Sequence, residues 1–398
     1  MEISFYNKLD KELRVEIVPK NEAVITLAEV EVNPTVHLSD KSLTFCLAPK
    51  EEEETINTRK AEKVLWNNKG TLLAVVEYLA LGSRVCFFDF DINTLTFTER
   101  SYTVDYELKI FAHLSFSPDD TLITISPNEY AKKPDVFNIE DKTTLTRVLL
   151  DPEYPDFEAS DNDTDYLNGV RNVTFSEDNK YLLYNVYGNK VPETPRLYLY
   201  KYDEVSSKYI RIRSMDSIHF SYGSLITRSG KFILSSTRST TVFILSEEEL
   251  IFKTFSNQFQ DKETTMWCKE LQNGYIVEEC DSSIVMFKIN NVGLIQERIV
   301  HPVPSGSGRL ISYANNNNTA ISFDYDQELH LFKFSNTDLE TVSLGSLTGI
   351  DYFNPPSLNP TNSLIFAVQS VDRTTFIDLF SIEGDKITKL KRTIKESN

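Results

Sequence analysis

One short unit recurs along this chain and restricts its fold more than any other feature. In Leu114 to Pro127, LSFSPDDTLITISP, an apolar strand carrying Leu114 and Phe116 meets a polar turn at Ser117-Pro118-Asp119-Asp120. A second apolar strand with Leu122, Ile123 and Ile125 follows. Related units begin near Val64 (VLWNNKGTLLAVVEY), Val173 (VTFSEDNKYLLYNVY), Leu225 (LITRSGKFILSST), Leu271 (LQNGYIVEEC), Leu310 (LISYANNNNTAISFDY) and Ser357 (SLNPTNSLIFAVQS). The seven instances lie roughly 40 to 60 residues apart, a longer period than that of short solenoid repeats.

Each instance continues alike. A third strand rich in aromatic and β-branched residues follows at Val85 to Phe90, Arg196 to Tyr202, Thr241 to Leu245, Ile284 to Ile289, Leu329 to Phe334 and Phe376 to Ile382, with a weaker version at Asp135 to Ile139. A more polar fourth strand comes next, as at Thr96 to Val104 and Lys386 to Ile394. A lone four-stranded sheet cannot hide both faces, whereas radial stacking buries them and leaves only short edges. The pattern therefore predicts an all-β chain, a β-propeller of seven four-stranded blades over residues 61–398, with an acidic insertion at 151–169. Residues 1–60 hold five further β-like runs and the acidic stretch Glu51 to Glu54; they form either an eighth blade or strands that close the ring.

The turns FSPDD (Phe116 to Asp120), FSEDN (Phe175 to Asn179) and RSGK (Arg228 to Lys231) resemble the first-to-second-strand turn of WD-repeat propellers, a likeness covering about residues 64–394. The chain has no Gly-His pair, no Trp-Asp pair and only 13 glycines, and Trp66 and Trp267 do not end third strands, so that family's polar network does not transfer. The resemblance implies that second-to-third-strand turns share one face with the links entering each blade. On that face it places the turn residues Arg84, Lys132, Lys133, Lys190, Arg238 and Arg373, and the link residues Arg171, His219, Trp267, Arg309 and Tyr352. Asp281 and Asp326 occupy the turns of blades five and six. The expectation is a basic sector that docks an acidic or phosphorylated peptide through Arg forks.

The charge balance narrows the partners. Lys and Arg total 41 against 59 Asp and Glu, a formal charge of −18, which disfavours non-specific attraction to nucleic acid or anionic membrane. No run of about 18 apolar residues predicts a transmembrane helix, and the charged first residues predict no secretory signal. Four scattered cysteines (Cys46, Cys86, Cys268, Cys280) fit reduced thiols in a cytoplasmic or nuclear protein, with a Cys268–Cys280 bridge as the alternative.

Within the insertion, Asp156, Glu158, Asp161, Asp163 and Asp165 form an acidic docking loop for a basic segment, or a solvated loop. Asp161, Asp163 and Asp165 alternate like the start of a calcium loop, but Tyr166 stands where Gly is needed and Asn172 where Glu is needed, so no metal is expected. No phosphate-binding GxxxxGK[ST] or GxSxG motif is present, and the five histidines show no ligand spacing. Tyr198, Tyr200 and Tyr202 share a strand face, which suits packing between blades with outward hydroxyls better than a platform for bases. The sequence thus favours a non-catalytic interaction scaffold or complex subunit, needing no cofactor and taking no small-molecule substrate. The alternative is a propeller enzyme, lactonase- or hydrolase-like, with chemistry in the central channel.

Overall fold

The computed structural model describes strands at 2–6, 12–18, 22–26, 35–39 and 42–46. Beyond them it describes residues 64–79, 82–106, 112–127, 134–151, 167–188, 197–215, 223–236, 240–245, 251–253, 265–280, 283–302, 310–314, 318–323, 328–335, 338–346, 356–361, 365–370 and 376–394. The chain divides into two compact units, Met1–Arg59 and Lys60–Asn398. In the first, β1 (Glu2–Tyr6), β2 (Glu12–Val18) and β3 (Glu22–Thr26) form an antiparallel meander, and β4 (Thr35–Ser39) pairs with β5 (Ser42–Cys46).

The second unit is a β-propeller. Its first sheet holds β6 (Val64–Trp66), β7 (Leu72–Leu79), β8 (Gly82–Asp91) and β9 (Thr96–Tyr106), and its second β10 (Ala112–Phe116), β11 (Leu122–Pro127), β12 (Asp135–Asn138) and β13 (Thr146–Val148). The third holds β14 (Leu150–Asp151), β15 (Leu167–Phe175), β16 (Tyr181–Gly188), β17 (Leu197–Asp203) and β18 (Lys208–Met215). The fourth follows with β19 (Gly223–Ile226), β20 (Phe232–Ser236), β21 (Thr240–Ile244) and β22 (Ile251–Lys253), and the fifth with β23 (Thr265–Glu270), β24 (Ile276–Cys280), β25 (Ser283–Ile289) and β26 (Ile295–Pro302). The sixth comprises β27 (Leu310–Ala314), β28 (Thr319–Phe323), β29 (Glu328–Phe334) and β30 (Leu339–Ser346); the last comprises β31 (Ser357–Leu358), β32 (Ile365–Ser370), β33 (Phe376–Glu383) and β34 (Lys386–Ile394).

Six of these sheets have four strands, against the seven expected. The third has five, because Leu150 and Asp151 leave the second sheet and pair in parallel with Tyr209 and Ile210 on the outer strand β18. The last sheet draws all four strands from residues 357–394.

Strand alternation explains why the third strands are apolar throughout. On β8, Val85 and Phe87 pack toward the second sheet with Ile123 and Ile125, while Cys86, Phe88 and Phe90 pack toward the last sheet with Ile377 and Leu379. A sheet stacked on both sides needs apolar side chains at odd and even positions alike. Tyr184, Tyr198 and Tyr200 face the second sheet against Leu122 and Val136. This corrects the expected outward hydroxyl of Tyr200, which is buried and has no hydrogen-bond partner among the described residues, as is also true of Tyr184. Burial pushes the Tyr200 phenol up to about 12, and no base can stack on these rings.

The hairpin turns explain the recurring Ser/Thr/Asn. Ser117, Ser176, Thr227 and Asn67 each open a turn whose side-chain oxygen accepts the amide five residues on, at 2.9, 2.8, 3.2 and 2.9 Å. The fourth turn residue takes a positive φ: Gly70 (65°), Asp120 (65°), Asn179 (57°) and Gly230 (66°). Adjacent turns are laced together. The Asp120 carboxylate accepts the amides of Asn68 (2.7 Å) and Lys69 (2.9 Å), and Glu270 accepts the amide of Arg228 (2.6 Å). First and last sheets meet where the Trp66 indole N–H donates to the Ser357 carbonyl (3.0 Å) and the Asn359 amide donates to the Gly70 carbonyl (3.0 Å).

Gly70 and Gly230 share a backbone conformation but not surroundings. A Cβ at Gly70 would lie 2.4 Å from Asn359 Oδ1, whereas one at Gly230 meets nothing within 4 Å. Gly230→Ala should cost about 1 kcal/mol, the left-handed penalty alone, and Gly70→Ala on the order of 2–4 kcal/mol, measured by urea unfolding; equal losses would contradict this packing. A second expectation concerns pH. Burial holds Glu270 above its ordinary value even though it accepts the Arg228 amide. A carboxyl raised in the folded state stabilises most below its unfolded pKa and loses that contribution as pH climbs through the folded one. Glu270→Gln should therefore gain stability relative to the parent between pH 4 and pH 7; a difference that stays flat with pH would contradict it.

Candidate functional site

The two ends of the ring differ in chemistry. At the hairpin end the turns satisfy themselves and their neighbours, as described above. At the opposite end, second strands finish and third strands begin, and there the apolar packing gives way to buried polar side chains. Glu77, Ser126, Asn185, Ser235, Glu278, Glu279 and Ser322 close the second strands, and Ser83, Thr240, His330 and Asp378 stand near the starts of third strands; all are buried.

Covered charge needs partners, because desolvating a carboxylate costs several kcal/mol, of order 5. Glu278 is 2% exposed and accepts the Thr240 hydroxyl across the fourth-to-fifth sheet interface at 2.7 Å. Burial first, and the Glu278 charge second, push the Cys268 thiol well up. Asp378 takes the Lys389 ammonium at 2.8 Å. Asp135 joins the first two sheets, accepting the Tyr106 hydroxyl at 3.2 Å and pairing with Arg147 at 2.8 Å. His330 Nε2 stands 4.0 Å from Glu328 Oε2.

Arg84 is the one basic-sector residue whose side chain lies among the described residues. It is the third residue of β8 rather than a turn residue, opposite Glu77 in the ladder. Its guanidinium grips Asp105 with two bonds, Nε to Oδ1 at 2.6 Å and Nη2 to Oδ2 at 2.9 Å. That fork raises its pKa further, so its charge is already matched. Arg171 and Trp267, expected in links, are backbone members of β15 and β23. Lys132, Lys133, Lys190, His219, Arg238, Arg309, Tyr352 and Arg373, and the acidic residues Asp156, Glu158, Asp161, Asp163 and Asp165, lie outside the described residues.

The sequence reading missed Glu77, Glu278, Glu279 and Asp378. Their signal was present: a carboxylate inside an apolar second strand, as in VVEYL and YIVEEC, is buried on either face of a stacked sheet. Cys86, Cys268 and Cys280 carry free thiols, which removes the bridge alternative. Among the described residues no His, Cys, Asp or Glu group is arranged to hold a metal, and no helix is long and apolar enough to cross a membrane.

No family model matches the sequence, and no curated protein sequence matches it. Solved structures do match, as propellers. The periplasmic gluconolactonase PpgL of Pseudomonas aeruginosa aligns with a TM-score of 0.57 at 10% identity, covering 81% of this chain and 95% of that one. The β-propeller domain of Cps50 (Swd1) from Myceliophteria thermophila aligns with a TM-score of 0.54 at 14% identity, covering 82% and 99%. A chain of the mitotic checkpoint complex aligns with a TM-score of 0.51 at 12% identity, covering 79% and 85%. At these identities the likeness is one of fold, and it extends to enzymes and complex subunits alike.

The Glu278 carboxylate provides a local check. Thr240→Val should lower stability by about 1–3 kcal/mol, the cost of removing a donor from a buried acceptor, while Thr240→Ser should restore most of it. Equal unfolding midpoints for all three proteins would contradict this pairing.

Proposed function

We propose that this chain is a non-catalytic scaffold or subunit of a cytoplasmic or nuclear multiprotein complex, whose partners dock on the loop end of a seven-bladed ring. The blade count takes the five-stranded third sheet as a blade, because it shares a core with the second sheet on one side and the fourth on the other. The observation that carries the docking reading is the contrast between the ends: self-satisfied turns at one, a layer of buried polar and charged side chains beneath the loops at the other. Such a layer supports loops that present polar contacts instead of sealing an apolar core.

The partner in this reading is an acidic or phosphorylated peptide, held by Lys132, Lys133, Lys190, Arg238 and Arg373, with Arg171, His219, Trp267, Arg309 and Tyr352 around it. Arg84 contributes little because Asp105 already neutralises it. The acidic loop Asp156 to Asp165 serves a separate basic segment. Neither nucleic acid nor membrane insertion is part of this reading, in keeping with the charge of −18.

A second reading has one observation in its favour. Glu278 and Glu279 are buried carboxylates in a fold shared with a gluconolactonase, which suits acid–base chemistry. Two experiments separate the readings. Charge reversal of Lys132, Lys133, Arg238 and Arg373 together should weaken binding to a phosphopeptide array at least tenfold, and an unchanged bound set would overturn the docking reading. Lactone hydrolysis above background by the purified chain, lost on Glu278→Gln, would establish the enzyme instead; the proposal expects none.

A further inference from the structure

Where the second sheet faces the third, three hydroxyls are enclosed without a hydrogen-bond partner among the described residues: those of Ser126, Tyr184 and Tyr200, each 0% exposed. Strand alternation puts them on facing surfaces. Leu122 on β11 packs against Tyr184 and Tyr200, and Thr124 and Ser126 follow it at spacing two on the same face of that strand. Tyr184 links the other two. Its ring meets the Tyr200 ring edge-on with centres 5.3 Å apart. Burial first, then the neighbouring Tyr200, Tyr209 and Asp135, push its phenol well above its ordinary value, and Asp135 stands opposite Ile125, the residue before Ser126.

Other enclosed hydroxyls find protein partners. Tyr209, in the same core, donates to the Asn179 carbonyl at 2.8 Å, Tyr106 donates to Asp135, and Thr240 donates to Glu278. A buried hydroxyl that bonds to nothing forfeits its hydration without return, so three together on facing sheets point to an occupant. The chemistry of the group selects it. All three are uncharged and can both donate and accept, and the Thr124 hydroxyl, which donates to the Ser115 carbonyl at 3.4 Å, has lone pairs left to accept. The Asp135 carboxylate opposes an anion, and among the described residues no His, Cys, Asp or Glu group is arranged to hold a cation. Full burial leaves no way in for a large molecule.

We propose that the interface between the second and third sheets is a water-binding site, in which internal water joins the hydroxyls of Tyr184, Tyr200 and Ser126. Water is neutral, small enough to be enclosed, and donates and accepts in equal number, which is what this set of hydroxyls requires. Bound water then holds these two sheets together alongside the apolar contacts of Leu122, Val136 and Leu182. The site lies within the stack of sheets and takes no part in the docking proposed at the loop end, so each can fail without the other.

The test uses the full chain. A crystal structure that resolves ordered water should show water within hydrogen-bond distance of both tyrosine hydroxyls, a result that depends on no variant. Tyr184→Phe and Tyr200→Phe should each lower the urea unfolding midpoint, because each removes a partner from enclosed water; in a dry interface, deleting an orphaned hydroxyl leaves the midpoint unchanged or raises it. Oxygen-17 relaxation dispersion of the solvent should count fewer long-lived internal waters in Tyr184→Phe/Tyr200→Phe than in the parent. The proposal is overturned if the crystal shows no water there or shows the hydroxyls bonded directly to protein groups. It is also overturned if either single variant is as stable as the parent or more so, or if the internal-water count of the double variant is unchanged.

Discussion

The propeller depends on a seam between residues nearly three hundred positions apart in the chain. Trp66 and Ser357 are separated by 291 residues, and their contact brings the first sheet against the last with no strand shared between them. Closing so long a loop has a large entropic cost, though it grows only slowly with length. The seam meets it with matched features: the Trp66 indole bond to Ser357, the Asn359 bond to Gly70, and Ile377 and Leu379 packed on Val75 and Phe88. Gly70 belongs to this set because the Asn359 side chain occupies the space a Cβ would take.

Around the seam, one local device is repeated. In four of the described hairpins a Ser, Thr or Asn side chain caps the amide at the far side of its own turn, and carboxylates such as Asp120 and Glu270 tie a turn to its neighbour. At the loop end the packing changes character, since Glu278 must reach across to Thr240 and Asp135 must gather both Tyr106 and Arg147. That asymmetry is the observation on which the proposed docking rests.

Much of this was legible in the sequence because β structure writes itself with period two and its turns have fixed chemistry. The expected Lys386 to Ile394 strand matches β34, and Asp135 to Ile139, called weak, is the short β12. Other features left no periodic trace. A two-residue parallel strand such as β14 has no pattern to detect, and it altered the count of four-stranded sheets. The third strand was expected to begin at Val85, which left Arg84 in the turn before it, whereas β8 begins two residues before Arg84. Tyr198 and Tyr200 were placed correctly on one face, but the burial of the Tyr200 hydroxyl depends on a neighbouring sheet distant in sequence. The seam itself has no local signal at all: Trp66 looks like any strand aromatic until Ser357 is beside it.

Closure at this seam makes the sheets one cooperative structure, and hydrogen exchange on Trp66→Phe tests that most directly. The substitution keeps an aromatic ring but removes the donor to the buried Ser357 carbonyl. If the ring depends on the seam, amides in every sheet, including the distant fourth, should exchange faster together, and unfolding should remain a single transition at a lower midpoint. Faster exchange confined to the first and last sheets, with the others unchanged, would contradict the account.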